Sequence, residues 1–199
     1  MKTVFLHGLG QTPADWNAIT RQFPASEVDC PDLFSLAHDS LCYPELLTAL
    51  EVRYAAESEP LRLCGLSLGG MLALDYAIRH PGRVDSLVLI GVQDKVPSLL
   101  VDLQNFLFRW MPEARFAEMG LSKRAMLQLT CSMRDLDFTE RFETLCCPVK
   151  IVCGEKDYAN RSAANRFTRL LPQAELYLIP SAGHEVNRSA PESIVELLH

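Results

Sequence analysis

The most constraining feature of the sequence is a strand-like run, a glycine-flanked serine and a helix-like run in immediate succession. Residues 61–64 form a short run that is apolar except for Arg62, and they lead into Gly65-Leu66-Ser67-Leu68-Gly69, which fits the pattern G-x-S-x-G. After this pattern, apolar residues recur at helical spacing from Leu68 to Tyr76. The order predicts a tight strand-to-helix turn with Ser67 at its tip.

The chemistry of such a turn follows from its steric limits. A turn this tight leaves no room for side chains two positions from its centre, and Gly65 and Gly69 have none. A non-glycine residue at the centre is strained by about 1–3 kcal/mol. The Ser67 hydroxyl then projects from the strand tip, and the Leu68 N–H lies unpaired in the first helical turn, where it can donate to an oxyanion. The pattern indicates a nucleophilic serine, although these five residues alone also fit a turn that needs glycine only for packing.

The rest of the chain alternates short apolar runs with amphipathic ones. The predicted strands are residues 3–6, 27–30, 61–66, 84–90, 148–153 and 174–179. One predicted helix begins near Thr12, and the others span residues 44–56, 68–79, 97–111, 113–119, 122–134, 163–171 and 192–198. Residues 31–43 are predicted to be a loop. Strands that alternate with helices and lack polar alternation indicate a parallel sheet with helices on both faces. The length of 199 residues, 48% hydrophobic, predicts a single α/β domain, 1–199.

Four chemically active residues directly follow predicted strands, namely His7, Ser67, Asp157 and His184. Because ligand sites in parallel sheets lie at the carboxyl ends of the strands, we expect these residues to meet at one edge. A serine nucleophile needs a base and a group that orients the base. The chain order predicts a triad in which His184 takes and returns the Ser67 proton and Asp157 fixes the imidazole tautomer. Glu155 is the alternative acid.

Several short motifs carry a resemblance to a known family. They are His7-Gly8-Leu9-Gly10, Asp15-Trp16, residues 65–70, residues 80–84, residues 154–157 and Gly183-His184. With these motifs the chain resembles the α/β-hydrolase superfamily, in its branch of compact single-domain serine esterases with a short helical cap. The resemblance implies that the Leu9 N–H joins the Leu68 N–H in an oxyanion hole. It also implies that residues from about 94 to 145 form a cap over the pocket.

Two departures from the family pattern matter. The His7-Gly8 motif comes so early that the usual N-terminal antiparallel strands are not expected, which leaves an α/β-hydrolase fold of about six mostly parallel strands. After Pro31-Asp32, residues 33–40 replace the glycine-rich loop of the family. This pocket wall, which includes His38 and Asp39, is therefore not predictable from the resemblance.

Candidate substrate contacts come from aromatic and histidine side chains near the motifs. They are His7, Trp16, Phe106 and Trp110. For His7, a role in shaping the oxyanion loop is favoured over a role as a second base, and for Trp16 a core position is favoured over a pocket wall. Phe106 and Trp110, with Phe108 and Met111, fit an acyl pocket and packing of the cap on the body equally well. His38 and His80 are expected at the surface or a helix end.

Composition indicates which classes of partner and cofactor, and which cellular compartment, fit the chain. The net charge of −6 and the absence of a basic stripe disfavour nucleic acid. The five histidines lack ligand spacing, so neither a metal nor another cofactor is predicted. An odd number of cysteines, seven, without a C-x-x-C pair favours a reducing, cytoplasmic compartment. The apolar runs are too short to predict a membrane span or a secretory signal.

Three functional hypotheses follow. The first is a serine hydrolase of the carboxylesterase or thioesterase type that cleaves a small-molecule ester or thioester through an acyl-enzyme. The second is a triad-bearing lyase or C–C bond hydrolase similar to menaquinone-pathway enzymes, which would need arginines such as Arg109, Arg115 and Arg124 around an anionic substrate. The third is a non-catalytic binding protein of the same fold, which the complete set of triad residues disfavours. The acyl chain, the leaving group and the choice between monomer and dimer stay open.

Overall fold

A computed structural model of the chain describes residues 1–37, 41–117 and 119–199. Its centre is one six-stranded sheet. The strands are β1 (Thr3–Leu6), β2 (Val28–Asp29), β3 (Leu61–Leu66), β4 (Val84–Ile90), β5 (Val149–Gly154) and β6 (Ala174–Ile179). They lie in the order β2-β1-β3-β4-β5-β6, and every neighbouring pair is parallel. The predicted α/β-hydrolase sheet of about six parallel strands is confirmed.

Helices connect the strands. The α-helices are α1 (Asn17–Thr20), α2 (Leu33–Leu36), α3 (Tyr43–Tyr54), α4 (Leu68–Arg79), α5 (Ser98–Trp110), α6 (Glu113–Ala117), α7 (Lys123–Ser132), α8 (Tyr158–Leu170), α9 (Val186–Ser189) and α10 (Pro191–Leu198). Short 3-10 helices span Pro13–Trp16, Ala25–Glu27 and Thr139–Thr144. At Thr12, the backbone N–H donates to Asp15 Oδ2, as expected for a helix start at this position.

Alternate residues of the four inner strands, β1, β3, β4 and β5, enter two separate cores, one on each face of the sheet. In β1, Val4 and Leu6 pack with α3 and α4, whereas Phe5 packs with Trp16 and the C-terminal helix α10. A strand whose side chains point alternately to two covered faces must be apolar throughout, which is why the predicted strands lack polar alternation. Helices on both faces, as predicted, complete the layers.

The clearest difference from the predicted elements lies at residues 31–43. Sequence alone indicated a loop, but α2 forms there, because the Asp32 side chain accepts the Phe34 N–H at the helix start and Leu33 is completely buried. Four residues are too few for a periodic pattern to show. His38 and Asp39 lie outside the described residues.

The segment between β4 and β5 is helical, and it is the segment for which a cap was predicted. Its helix α5 packs against α7, and Ser122 caps α7 by accepting the Ala125 N–H. Arg141 fastens the segment to the body through a 3.1 Å contact with the buried Asp75 carboxylate of α4. Among the helices of the described residues, none is both long and apolar enough to cross a membrane.

Candidate active site

Ser67 occupies the turn between β3 and α4 and has a strained backbone, with φ of 51° and ψ of −113°. Close packing explains the strain. A Cβ atom on Gly65 would lie 2.5 Å from backbone atoms of Gly69, and one on Gly69 would lie 2.1 Å from the Leu6 carbonyl oxygen. The Ser67 N–H donates to the Ile90 carbonyl at 2.8 Å, which ties the turn to the end of β4. The geometry matches the turn predicted from G-x-S-x-G.

Asp157 and His184 meet at the ends of β5 and β6. The distance between Asp157 Oδ2 and His184 Nδ1 is 2.8 Å. The Asp157 side chain is 5% exposed and that of His184 is 40% exposed, so a buried carboxylate orients an accessible imidazole. The alternative acid, Glu155, instead accepts the Ser181 N–H at 2.9 Å. The structure therefore pairs His184 with Asp157 rather than with Glu155.

The environment of Asp157 keeps its carboxylate charged. Burial by itself raises the pKa of Asp157, but hydrogen bonds from His184 and Asn160 outweigh burial, so that the pKa lies below its usual value. A charged carboxylate next to Nδ1 favours the tautomer that carries its proton on Nδ1. The Nε2 atom of His184 then carries the free lone pair and can act as a base.

Ser67 and His184 flank the same end of β4. The residue after β4, Gly91, supports the imidazole so closely that a Cβ atom there would lie 2.8 Å from the His184 ring. Within the described part of the chain, no hydrogen bond joins the Ser67 hydroxyl to His184. Catalytic contacts of this kind often tighten only when substrate is bound, so the arrangement remains suitable for proton transfer.

A cavity of about 200 Å³ opens beside Ser67. Leu9 and Leu68, whose N–H groups are the predicted oxyanion donors, line it together with Ser67. The other described residues of its wall are Met71, Gln93, Val96, Pro97, Val101, Gln104, Thr130 and Met133. None of these described lining residues carries a charge, which suits an uncharged apolar group. A wider depression of about 560 Å³ along α3 contains none of the predicted site residues.

His7 holds the start of the loop that follows β1 in place. Its ring is fully buried, Nε2 accepts the Leu33 N–H at 3.0 Å, and Nδ1 lies 3.0 Å from the Gly8 carbonyl oxygen. Burial lowers the pKa of His7 despite the Gly8 carbonyl and Asp32, which raise it. A neutral ring with its proton on Nδ1 satisfies both contacts. The position favours the structural role over that of a second base.

The buried His7 ring should make the fold sensitive to mild acid. Because the folded-state pKa lies below that of the unfolded chain, about 6.5, the unfolded state binds more protons as the pH falls. The free energy of unfolding should therefore fall below pH 6.5, by up to about 1.4 kcal/mol per pH unit from this group, until the folded-state pKa is reached. Urea unfolding between pH 8 and pH 5 measures this loss.

A matched variant isolates the contribution of His7. His7→Gln keeps an acceptor for the Leu33 N–H but does not titrate. It should therefore lose less stability than the wild type between pH 6.5 and 5. At pH 8 it should be less stable than the wild type, because the buried imidazole ring is lost. Parallel pH profiles of the two proteins would contradict this assignment.

The remaining candidate substrate contacts lie elsewhere. Trp16 is fully buried in the core, with its ring 5.2 Å from that of Phe5, so its interpretation as a pocket residue is corrected to that of a core residue. Phe106 and Trp110 are 56% and 78% exposed and are not part of the cavity wall. They lie on the face of α5 opposite Val101, which does line the cavity. Their place on the exposed face of α5 thus keeps them out of the cavity wall.

Sequence reasoning missed two sets of polar residues. Asn160 donates to both oxygens of Asp157 at 2.9 Å, and its only signal is its position one helical turn after the acid. Gln11 and Asn187 are buried and exchange hydrogen bonds of 3.2 Å, and Gln11 also accepts the Gly8 N–H. This pair ties the loop after β1 to the segment after His184. No local pattern connects residues so far apart in the chain.

The described residues contain no group of three or more histidine, cysteine, aspartate or glutamate side chains arranged to hold a metal ion.

Comparisons with known proteins agree with this geometry. The model of the alpha/beta hydrolase family matches residues 3–197. A pimeloyl-[acyl-carrier protein] methyl ester esterase of Aromatoleum aromaticum is 39% identical over 89 residues, which are 44% of this chain and only 36% of that protein. A 2-succinyl-6-hydroxy-2,4-cyclohexadiene-1-carboxylate synthase of an Enterobacter species is 23% identical, across 98% of this chain and 89% of that protein. The structure of MenH from S. aureus has a TM-score of 0.82 at 18% identity, with 100% of this chain and 91% of that chain covered.

Proposed function

The chain belongs to the alpha/beta hydrolase family and is an enzyme of the hydrolase type, and from this premise we propose that it cleaves a small carboxylic ester or thioester through an acyl-enzyme on Ser67. The observation that carries the proposal is the 2.8 Å contact between Asp157 and His184 at the sheet edge where Ser67 emerges. The cavity beside Ser67 supplies a place for the acyl group.

In the first half-reaction, His184 Nε2 accepts the proton of the Ser67 hydroxyl while Oγ attacks the carbonyl carbon. The negative charge that develops on the carbonyl oxygen is met by the N–H groups of Leu9 and Leu68, and removal of one such donor typically costs about 10²–10³ in turnover. The tetrahedral species collapses, the C–O or C–S bond breaks, and His184 returns the proton to the leaving alcohol or thiol.

In the second half-reaction, water replaces the leaving group. His184 takes a proton from the water, whose oxygen attacks the acyl carbon, and the proton then goes to Ser67 Oγ as the acid departs. Asp157 stays ionised throughout and stabilises the imidazolium form of His184. The lowered pKa of Asp157 suits this role, because burial, which opposes the charge, is outweighed by its hydrogen bonds.

The cavity defines the substrate class more closely. At about 30 Å³ for each water-sized group, a cavity of 200 Å³ accepts roughly six or seven non-hydrogen atoms. Its described wall is uncharged, so we expect a short, uncharged acyl group rather than a long fatty chain. The Aromatoleum relative is a methyl ester esterase, which supports an ester as the bond cleaved.

A triad-bearing lyase is the second candidate, because the synthase and MenH match nearly the whole chain. The cavity argues against it. Arg109, Arg115 and Arg124, the cap arginines that would meet an anionic substrate, are not among the residues that line the cavity. A panel of short-chain esters and thioesters separates the candidates, since a lyase should leave all of them almost unchanged.

The cysteines support the reducing, cytoplasmic compartment expected from their number. Among the described residues, six form no disulfide bond, namely Cys30, Cys64, Cys131, Cys146, Cys147 and Cys153. Burial raises the pKa of Cys147 and Cys153 to about 11, which keeps these thiols protonated and unreactive at neutral pH.

The proposal is tested by intact-mass analysis after incubation with a small fluorophosphonate. We expect one adduct on the wild type and none on Ser67→Ala, with ester hydrolysis reduced by at least about 10⁴-fold in Ser67→Ala and His184→Ala. Circular dichroism of both variants checks the fold. Absence of an adduct on the folded wild type, or normal turnover by Ser67→Ala, would overturn the proposal. Tight binding of an ester without turnover would indicate a binding protein instead.

A further inference from the structure

Two side-chain amides form a hydrogen-bonded chain behind the carboxylate of Asp157. Gln93 Nε2 donates to the Ala159 carbonyl at 3.2 Å and to Asn160 Oδ1 at 2.7 Å. Asn160 Nδ2 in turn donates to Oδ1 and Oδ2 of Asp157, both at 2.9 Å. Asn160 is 8% exposed, and Gln93 also lines the cavity beside Ser67. These hydrogen bonds thus connect the cavity wall to the carboxylate of Asp157.

The direction of this chain is fixed at both ends. A backbone carbonyl such as that of Ala159 only accepts, so the end of the Gln93 amide that faces it must be the NH₂ group. The same NH₂ group faces Asn160, which must therefore present its oxygen to Gln93 and its NH₂ group to Asp157. The ionised carboxylate at the other end also only accepts. Neither amide can turn over without placing two like groups in contact.

We propose that Asn160 is a positioning residue that holds the Asp157 carboxylate towards His184, and that Gln93 sets the orientation of Asn160. The proposal rests on the proposed hydrolase function, because it assigns these residues to the same site. Both act through Asp157 rather than on the reacting atoms.

Asn160 can hold the Asp157 carboxylate towards His184 because both residues donate hydrogen bonds to it. His184 Nδ1 and Asn160 Nδ2 both approach Asp157 Oδ2, and these two nitrogens are 3.1 Å apart. The carboxylate only accepts, so its contact with Nδ1 keeps the imidazole proton on Nδ1, and the NH₂ group of Asn160, which also donates to the carboxylate, makes no hydrogen bond to that nitrogen. Asn160 also shares the negative charge of Asp157, which would otherwise act on the imidazole alone. Asn160 thus sets the orientation of the acid that holds His184.

The first test removes the donor. Asn160→Leu should lower kcat for a short-chain ester by about 10²-fold, the cost typical of a small misplacement of a catalytic group, with little change in KM. The acid limb of the pH profile of kcat/KM should move to higher pH, because the unshared charge of Asp157 stabilises imidazolium. Asn160→Ser, which keeps a short donor, should recover part of kcat. A purely structural role would lower the melting temperature without moving the pH profile.

The second test reverses the orientation of the Asn160 amide by a substitution at residue 93 and leaves Asn160 itself unchanged. Gln93→Glu is nearly isosteric, but its carboxylate accepts only, so Asn160 must turn its NH₂ group to residue 93 and its oxygen to Asp157. Gln93→Met removes the hydrogen bonds and keeps the size. We expect Gln93→Glu to reduce kcat at least tenfold more than Gln93→Met. In the Asn160→Leu background this difference should vanish, whereas a direct effect of the Glu charge on substrate would persist.

Titration with the fluorophosphonate counts the competent sites in every variant, so kcat refers to folded enzyme only. Unchanged kcat and pH profile in Asn160→Leu, or equal losses in Gln93→Glu and Gln93→Met, would overturn the inference. If Asn160→Leu does not fold, the two Gln93 variants decide the matter alone. Failure of the wild type to react with the fluorophosphonate would instead overturn the proposed function.

Discussion

Asp157→Asn should lower kcat for ester hydrolysis by about 10⁴-fold while the protein remains folded. The reason is the tautomer of His184. The carboxylate accepts the Nδ1–H of His184 at 2.8 Å, and an amide placed there, already facing the NH₂ group of Asn160, would present its own NH₂ group to Nδ1. The imidazole proton then moves to Nε2, which can no longer accept the Ser67 proton. Steady-state kinetics at pH 8 with a short-chain ester measure the loss.

Glu155→Gln is the matched control for this substitution. Glu155 lies two residues before Asp157, and Glu155→Gln removes one negative charge, as Asp157→Asn does. The Glu155 carboxylate, however, accepts the Ser181 N–H, and the side-chain oxygen of glutamine can accept the same hydrogen bond. We expect kcat to change less than twofold in Glu155→Gln. If Glu155→Gln lowered kcat as much as Asp157→Asn does, Glu155 would be assigned as the acid of the triad.

The sheet and the turn around Ser67 could be predicted because their causes are local. Strand β3 is buried on both faces and therefore reads as an apolar run, and the collisions at Gly65 and Gly69 leave glycine as the residue that fits. The boundaries predicted for β1, β3, β4, β6 and α4 coincide with the observed ones for the same reason. Local sterics and burial leave a trace in the sequence itself.

The surroundings of the site could not be predicted, because their causes are distant in the chain. Whether Phe106 faces the cavity or solvent depends on how α5 is rotated against α7, and the periodicity of α5 alone does not show which of its faces packs inwards. The pairing of Gln11 with Asn187 joins segments 176 positions apart. The amide of Asn160 is oriented by Gln93, which lies 67 positions earlier in the chain. Contacts of this kind are set by tertiary packing, and a single sequence carries no record of them.

Gly69→Ala should prevent stable folding, or lower the melting temperature by about 8–16 °C if folded protein is recovered. The added Cβ atom would lie 2.1 Å from the carbonyl oxygen and 2.4 Å from the carbonyl carbon of Leu6, and these are backbone atoms that cannot rotate away. Strand β1 is itself fixed, since Leu6 is paired with Gly65 of β3. The helix α4 must therefore move, at a cost of about 4 kcal/mol or more, where overpacking ordinarily costs about 1–3 kcal/mol. In a chain of this length each 1 kcal/mol shifts the melting temperature by about 2–4 °C.

The control for this prediction is Gly183→Ala, whose added Cβ atom meets nothing within 4 Å. Its melting temperature should stay within about 2 °C of the wild type, because a substitution that meets no neighbour usually changes the free energy of unfolding by less than about 0.5 kcal/mol. Differential scanning calorimetry of both variants separates loss of glycine flexibility from collision. If Gly69→Ala melted like Gly183→Ala, the first turn of α4 would not lie against the end of β1. The close approach that forces Ser67 into its strained conformation would then be absent, and with it the physical basis for placing a nucleophile there.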